Sequence, residues 1–140
     1  MQGIKLKYLV DGDNFESAGN ASEEVKRTLK QLGINSQDIR RVAIAMYEGE
    51  SNMVIHAHGG VAEVEIFPNK IDISLIDKGP GIPDIDLAMQ AGFTTATENI
   101  RDLGFGAGMG LPNMKKYSDK LNILSTVGIG TTVNMTINFV

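Results

Sequence analysis

Two polar residues four positions apart, Glu48 and Asn52, are the first candidates for chemistry in this sequence. In a helix this spacing puts both side chains on one face, about 5–6 Å apart, and His56 extends the row by another turn. A carboxamide oxygen suits Mg²⁺ and a carboxylate can take a proton from a nucleophile, so the pair fits magnesium–phosphate chemistry. The alternative is a solvated polar face. Glu50 lies on another side of the helix and serves as a comparison, while Gly49 indicates that something packs close to the helix there.

A second candidate is Asp77, which ends the alternating segment KIDISLID and enters a turn of glycines and prolines. A carboxylate only accepts hydrogen bonds, so it would accept from the exocyclic amine of adenine and repel the carbonyl oxygen of guanine. The bare backbone at Gly79 and Gly81 would let a flat base approach. The alternative is an acid that caps its own turn. In GIGTT, the hydroxyl of Thr131 would either reach the same base or bridge a hairpin.

A third candidate is the segment GFGAGMGL, in which four glycines alternate strictly before a short helix that begins near Leu111. This spacing matches neither the dinucleotide fingerprint nor the P-loop. Its backbone N–H groups would be free to surround phosphate oxygens beside the N-terminus of the helix. The alternative is a flexible connector.

Hydrophobic periodicity predicts the elements that must position these residues. Five segments alternate as strands, and amphipathic helices are predicted over 16–32, from Ser36 to the glycine pair at 59–60, and over LPNMKKYSD. Residues 84–112 are rich in glycine and threonine and are a candidate lid. Because hairpins dominate the order β-α-α-β-β-lid-α-β-β, we expect an α+β two-layer sandwich. Its sheet is expected to be mixed, mostly antiparallel, with the helices on one face.

Composition narrows the class of protein. The 140 residues fit one domain over 1–140, and the absence of cysteine excludes a disulfide frame, a thiolate metal site and a cysteine nucleophile. The net charge of −4 and the lack of a basic block argue against direct nucleic-acid binding. No apolar run is long enough to span a bilayer and no signal peptide is evident, so a cytoplasmic protein without a membrane partner is expected.

The order of the motifs along the chain is more informative than any single motif. E-x-x-x-N on a helix, D-x-G-x-G-I after a strand, a loop of alternating glycines and G-x-G-T before the last strand together resemble the GHKL, or Bergerat-fold, ATPases. The resemblance covers about residues 4 to 139. Within that superfamily the sequence is most similar to the bacterial anti-sigma-factor and stress-switch serine kinases.

The resemblance implies roles for individual residues. Glu48 matches the catalytic base, Asn52 the magnesium ligand and Asp77 the adenine-binding aspartate. The implied nucleotide-binding set around them is Gly79, Gly81, Ile82, Thr94, Thr95, Arg101, Gly104, Gly106, Gly108, Gly110, Leu111 and Thr131. In that set the threonine pair and the arginine belong to the ATP lid, with the arginine near the terminal phosphate.

The resemblance also implies a function and partners. The expected activity is a protein serine/threonine kinase that uses ATP and Mg²⁺ in a partner-switching circuit. Its substrate would be a small antagonist protein and its regulated partner a sigma factor or a phosphatase, with a homodimer formed through the first strand. The alternative is a non-catalytic, ATP-dependent binding module. A histidine-kinase catalytic domain would need an upstream phospho-accepting helix pair, and a gyrase-like enzyme a second domain, so neither is expected.

Overall fold

A computed structural model describes residues 3–12, 18–57, 59–82, 85, 89 and 110–140. These residues form the following elements: β1 (Ile4–Asp11), α1 (Asn20–Gln31), α2 (Ser36–Ala57), β2 (Gly59–Ile66), β3 (Lys70–Ile76), α3 (Gly110–Tyr117), β4 (Lys120–Thr126) and β5 (Gly130–Asn138). The order agrees with the prediction from periodicity. None of the described helices is both long and apolar enough to cross a bilayer.

The five strands form one sheet in the order β1-β2-β3-β5-β4. All four pairings between neighbouring strands are antiparallel, which agrees with the predicted, mostly antiparallel sheet. β5, the last strand in the chain, therefore lies between β3 and β4. The predicted α+β class is confirmed.

The two faces of the sheet differ in burial. In β3 the side chains of Ile71, Ile73 and Leu75 are buried, whereas Asp72 and Ser74 between them are partly exposed. This period of two is what a strand shows when one face packs on helices and the other faces solvent. The core lies on the helix-covered face, where the buried side chains of α1, α2 and β5 include Val25, Leu29, Val42, Met46, Met135 and Ile137.

The first helix begins at Asn20, four residues later than the predicted Glu16. Gly19, just before it, has a left-handed backbone with φ +100° and offers no side chain to cap the helix. The turn DGDN in the sequence offers Asp13 or Asn14 as a helix cap, and both lie outside the described residues. The N-terminal N–H groups of α1 must therefore find acceptors elsewhere.

Those acceptors come from α2. The carboxylate of Glu50 receives the backbone N–H of Ala21 on Oε2 and that of Ser22 on Oε1, each at 3.1 Å. Glu50 is only 2% exposed, and a carboxylate at a helix N-terminus is favoured by the helix dipole. Glu50 thus joins α2 to α1 and, as expected, lies away from the face that carries Glu48.

Candidate functional site

α2 packs closely against β3 at Gly49. A Cβ atom added to Gly49 would lie 2.0 Å from Cδ1 of Leu75 and 3.2 Å from the sulfur of Met114 in α3. Only a glycine allows this approach, which agrees with the prediction that something packs close to the helix at this position. Two helices and the central strand therefore meet beside Glu48.

The same side of α2 continues along the end of β3. One turn later Met53 approaches Gly60, where an added Cβ would lie 2.6 Å from Cε of the methionine. At the end of the helix Ala57 touches the turn after β3, since a Cβ on Gly79 would lie 2.5 Å from that of Ala57. Gly60 belongs to β2, so α2 runs alongside the start of β2 and the end of β3 over about two helical turns.

Glu48 and Asn52 occupy the neighbouring row of α2. Each lies one position before a residue of the packed row, Gly49 and Met53, and each is half-buried. The side-chain amide of Asn52 makes no hydrogen bond with any described residue, so among these residues nothing competes with a ligand for it. The predicted base and metal ligand therefore lie beside the contact between α2 and β3, the strand that directly precedes Asp77.

Asp77 follows β3 directly and uses one oxygen to hold its own turn. Oδ1 accepts the backbone N–H of Gly79 at 2.9 Å and that of Thr131 at 3.1 Å. No described residue donates to Oδ2. The two interpretations of this residue are therefore compatible, because the turn occupies one carboxylate oxygen and the other remains available as an acceptor.

A hydroxyl pair supports the turn from the neighbouring strands. Thr131 is buried, and its Oγ1 lies 2.8 Å from Oγ of Ser125. Ser125 also accepts the backbone N–H of Ile82 at 2.7 Å. Thr131 therefore bridges the β4–β5 hairpin, one of its two predicted roles. Ser125 was not predicted as a site residue, although its pairing with Thr131 in the hairpin register would have indicated it.

The glycines of the turn are required by the protein's own packing. Gly81 has φ +81°, and an added Cβ would lie 2.6 Å from the carbonyl oxygen of Thr126. At Gly79 the obstacle is Ala57. The bare backbone was expected to make room for a base. The contacts with Thr126 and Ala57 already rule out a larger residue at either position, whether or not a base binds. Contact of either glycine with adenine stays a prediction.

α3 brings a second unpredicted residue to the site. Nδ2 of Asn113 donates to Oε1 of Glu48 at 3.3 Å. The helix is held by two buried side chains, Leu111 and Met114, and begins at Gly110, where the alternating glycines end. The predicted base therefore already has one neutral hydrogen-bond donor.

The described residues include nine of the fifteen predicted site residues. Near the end of β3 and on the adjoining helices lie Glu48, Asn52, Asp77, Gly79, Gly81, Ile82, Gly110, Leu111 and Thr131. Outside the described residues lie Thr94, Thr95, Arg101, Gly104, Gly106 and Gly108.

The described residues contain no group of three or more His, Cys, Asp or Glu side chains that could hold a metal ion. Mg²⁺ commonly takes one or two protein oxygens and completes its shell with water and substrate phosphates. The side-chain amide of Asn52, which has no partner among the residues that the structure describes, fits that mode of binding. A magnesium ion here would therefore arrive with a phosphate ligand.

Similarity to known proteins extends over the part of the chain that carries these residues. A family model described as histidine kinase-, DNA gyrase B- and HSP90-like ATPase matches residues 37–140, which include all the site residues named above. An anti-sigma F factor from Caldanaerobacter subterraneus is 36% identical over 138 residues, covering 95% of this chain and 91% of the relative. The anti-sigma F factor of a Thermoanaerobacter species is 40% identical with the same coverage.

Two further proteins extend the comparison. The serine/threonine-protein kinase RsbT of Bacillus subtilis is 31% identical over 112 residues, covering 77% of this chain and 78% of the kinase. A crystal structure of the RsbU and RsbW domains of a Mycobacterium tuberculosis protein superposes with a TM-score of 0.67 at 17% identity. That match covers 97% of this chain and 32% of the longer one, and at this identity it supports the fold alone.

Proposed function

The chain belongs to the family of histidine kinase-, DNA gyrase B- and HSP90-like ATPases, and from this premise we propose that it is a protein serine/threonine kinase. It would use ATP with Mg²⁺ to phosphorylate a small antagonist protein in a partner-switching circuit. One observation carries the proposal. Oδ1 of Asp77 is fixed by its turn while Oδ2 is left as an acceptor, and α2 runs from this turn to Glu48.

Asp77 would select the base. The exocyclic amine of adenine would donate to Oδ2, whereas guanine would present a carbonyl oxygen to the same atom and be repelled. The hydroxyl pair of Ser125 and Thr131 would keep the turn in place while the base binds. Selectivity for ATP over GTP would therefore depend on one carboxylate oxygen whose position is set by the backbone.

Glu48 would act on the protein substrate. It would accept the proton of a serine or threonine hydroxyl as that oxygen bonds to the terminal phosphorus. The bond from that phosphorus to the bridging oxygen of ATP would break, and its electron pair would leave with ADP. Mg²⁺, held with the help of Asn52, would offset negative charge on the phosphate oxygens. Arg101, the lid threonines and the glycines at 104, 106 and 108 keep their predicted roles in phosphate binding.

The partners are proposed from the relatives. Three of the similar proteins are named anti-sigma F factor or serine/threonine-protein kinase, which supports an antagonist-protein substrate and a sigma factor or phosphatase as the regulated partner. A homodimer through β1 is also proposed, because this strand is at the edge of the sheet and its Leu9 is 84% exposed. A monomeric mass at micromolar concentration would contradict the dimer.

Calorimetry and phosphate transfer test the proposal together. The folded protein with Mg²⁺ should bind ATP and bind GTP at least tenfold more weakly, about 1.4 kcal/mol. Labelled terminal phosphate should then appear on a serine or threonine of a co-purified partner. Binding without transfer would leave a nucleotide-dependent binding module, and no difference between ATP and GTP would reject the assigned site.

A further inference from the structure

We propose that Asn113 is a positioning residue that holds the carboxylate of Glu48 in the orientation needed for proton transfer. The proposal rests on the function given above and adds a residue to it. Its starting observation is the hydrogen bond from Nδ2 of Asn113 to Oε1 of Glu48, at 3.3 Å between side chains 65 residues apart in the chain. Among the described residues no other group donates to the carboxylate of Glu48.

The packing of α3 fixes where this amide lies. Met114, the next residue, is fully buried and faces α2 at Gly49, where a Cβ would lie 3.2 Å from its sulfur. Leu111 is buried as well, so α3 has two anchors within its first five residues. The side chain of Asn113 is therefore carried on a helix that cannot shift along α2 without disturbing the core.

The chemistry of an amide suits this role. Asparagine donates without carrying a charge and has no proton to lose near neutral pH, so it does not compete with the base. By holding Oε1 it leaves Oε2 as the acceptor for the substrate hydroxyl proton. When the serine oxygen bonds to phosphorus and ADP leaves with the electron pair of the broken bond, that proton passes to Oε2 of Glu48.

The effect of losing the amide follows from the flexibility of glutamate. Its side chain has three rotatable bonds, and Glu48 is only half-buried, so without a donor the carboxylate would sample several orientations. A misplacement of about 1 Å can lower a catalysed rate by up to two orders of magnitude. We expect the turnover of Asn113→Ala to fall at least tenfold while its ATP affinity changes less than twofold, since the amide acts on the base.

Two variants and one control make the test. Transfer of labelled terminal phosphate from Mg-ATP to a serine or threonine of the co-purified partner gives turnover, and calorimetry gives ATP affinity. Asn113→Ala removes the side chain, and Asn113→Asp keeps its shape while replacing the donor with an acceptor that repels Glu48. Asn122→Ala removes the same side chain at an exposed position of β4 and should leave turnover unchanged.

The outcomes separate this inference from the function on which it rests. A fall in turnover for both variants, with ATP affinity and thermal midpoint unchanged, supports the positioning role. Turnover equal to that of the wild type in either variant overturns it and leaves the kinase proposal standing. A parallel loss of affinity and thermal midpoint would mean a merely structural role and overturns it too. A wild-type protein that binds ATP without turnover overturns both proposals.

Discussion

The carboxylate of Glu50 lies 3.1 Å from the backbone nitrogen of Ala21, so one helix of this protein supplies the N-terminal cap of another. The contact spans 29 residues of sequence and is buried. It takes the place of the side-chain cap that Gly19 cannot provide. The orientation of α2, which carries the candidate base and metal ligand, is therefore tied to the start of α1.

Replacing Glu50 by alanine should destabilise the protein by about 1–3 kcal/mol, because two buried backbone N–H groups would lose their acceptor. Urea unfolding followed by circular dichroism measures the change. Glu24→Ala is the matched control, since its ion pair with Arg27 at 3.0 Å is largely exposed and should contribute less than about 1 kcal/mol. Equal losses in the two variants would contradict the capping role.

Glu48→Ala and Asp77→Asn should separate transfer from binding. Loss of the base should lower phosphate transfer by about 10²–10⁴-fold and change ATP affinity only about threefold or less. Asp77→Asn keeps an oxygen for the turn but presents an amide donor to adenine, so ATP binding should weaken about tenfold or more. Calorimetry and labelled-phosphate transfer measure the two effects. Equal losses of affinity would contradict the assigned roles.

Gly81→Ala should be more damaging than Gly128→Ala, although both glycines have φ +81°. An added Cβ meets the carbonyl of Thr126 at 2.6 Å in the first case and nothing within 4 Å in the second. Both substitutions carry the same backbone strain. The difference between their unfolding free energies, about 1–3 kcal/mol, therefore measures the steric overlap of the new Cβ with Thr126. Only the first variant should also weaken ATP binding. Comparable stabilities would show that the turn can move away from β4.

Acid sensitivity should depend partly on Asp119. The pKa of its carboxyl is lowered by the backbone N–H of Asn138 and, to a lesser extent, by the guanidinium of Arg41. Because this pKa is lower in the folded than in the unfolded state, the carboxylate stabilises the folded protein at pH values above its unfolded pKa, about 4. This contribution to stability is lost as the pH falls through the folded pKa. Stability should therefore decline less steeply on acidification in Asp119→Asn. Urea midpoints between pH 5 and about pH 2.5 measure the slope, and an unchanged slope would contradict this assignment.

The parts of the fold that follow from local pattern were predictable. The alternation of Ile71, Ile73 and Leu75 predicted β3 and its buried face, because a strand side chain reverses direction at every residue. Gly49 predicted a close contact, since a glycine inside a helix costs stability unless packing requires it. Its partners, Leu75 and Met114, could not be named, because they depend on how α2 lies on the sheet and against α3.

Two of the three contacts that sequence patterns missed join distant segments. Glu50 was noted only for lying off the Glu48 face, because its role depends on where α1 begins. Asn113 reaches Glu48 only because α3 crosses α2 at a glycine, and no spacing within α3 indicates this. Ser125 was the exception, since the register of its hairpin pairs it with Thr131.

The strand order sets when the nucleotide cleft can exist during synthesis. β5 is synthesised after β3 and β4, yet it must insert between them and supply the Thr131 amide to Asp77. A nascent chain that ends after β4 has no such amide and leaves β3 unpaired on one side, so the turn of Asp77 cannot be held. If Asp77 binds adenine as proposed, nucleotide recognition begins only once β5 has been made, and a polypeptide truncated before β5 would not compete for the ligand.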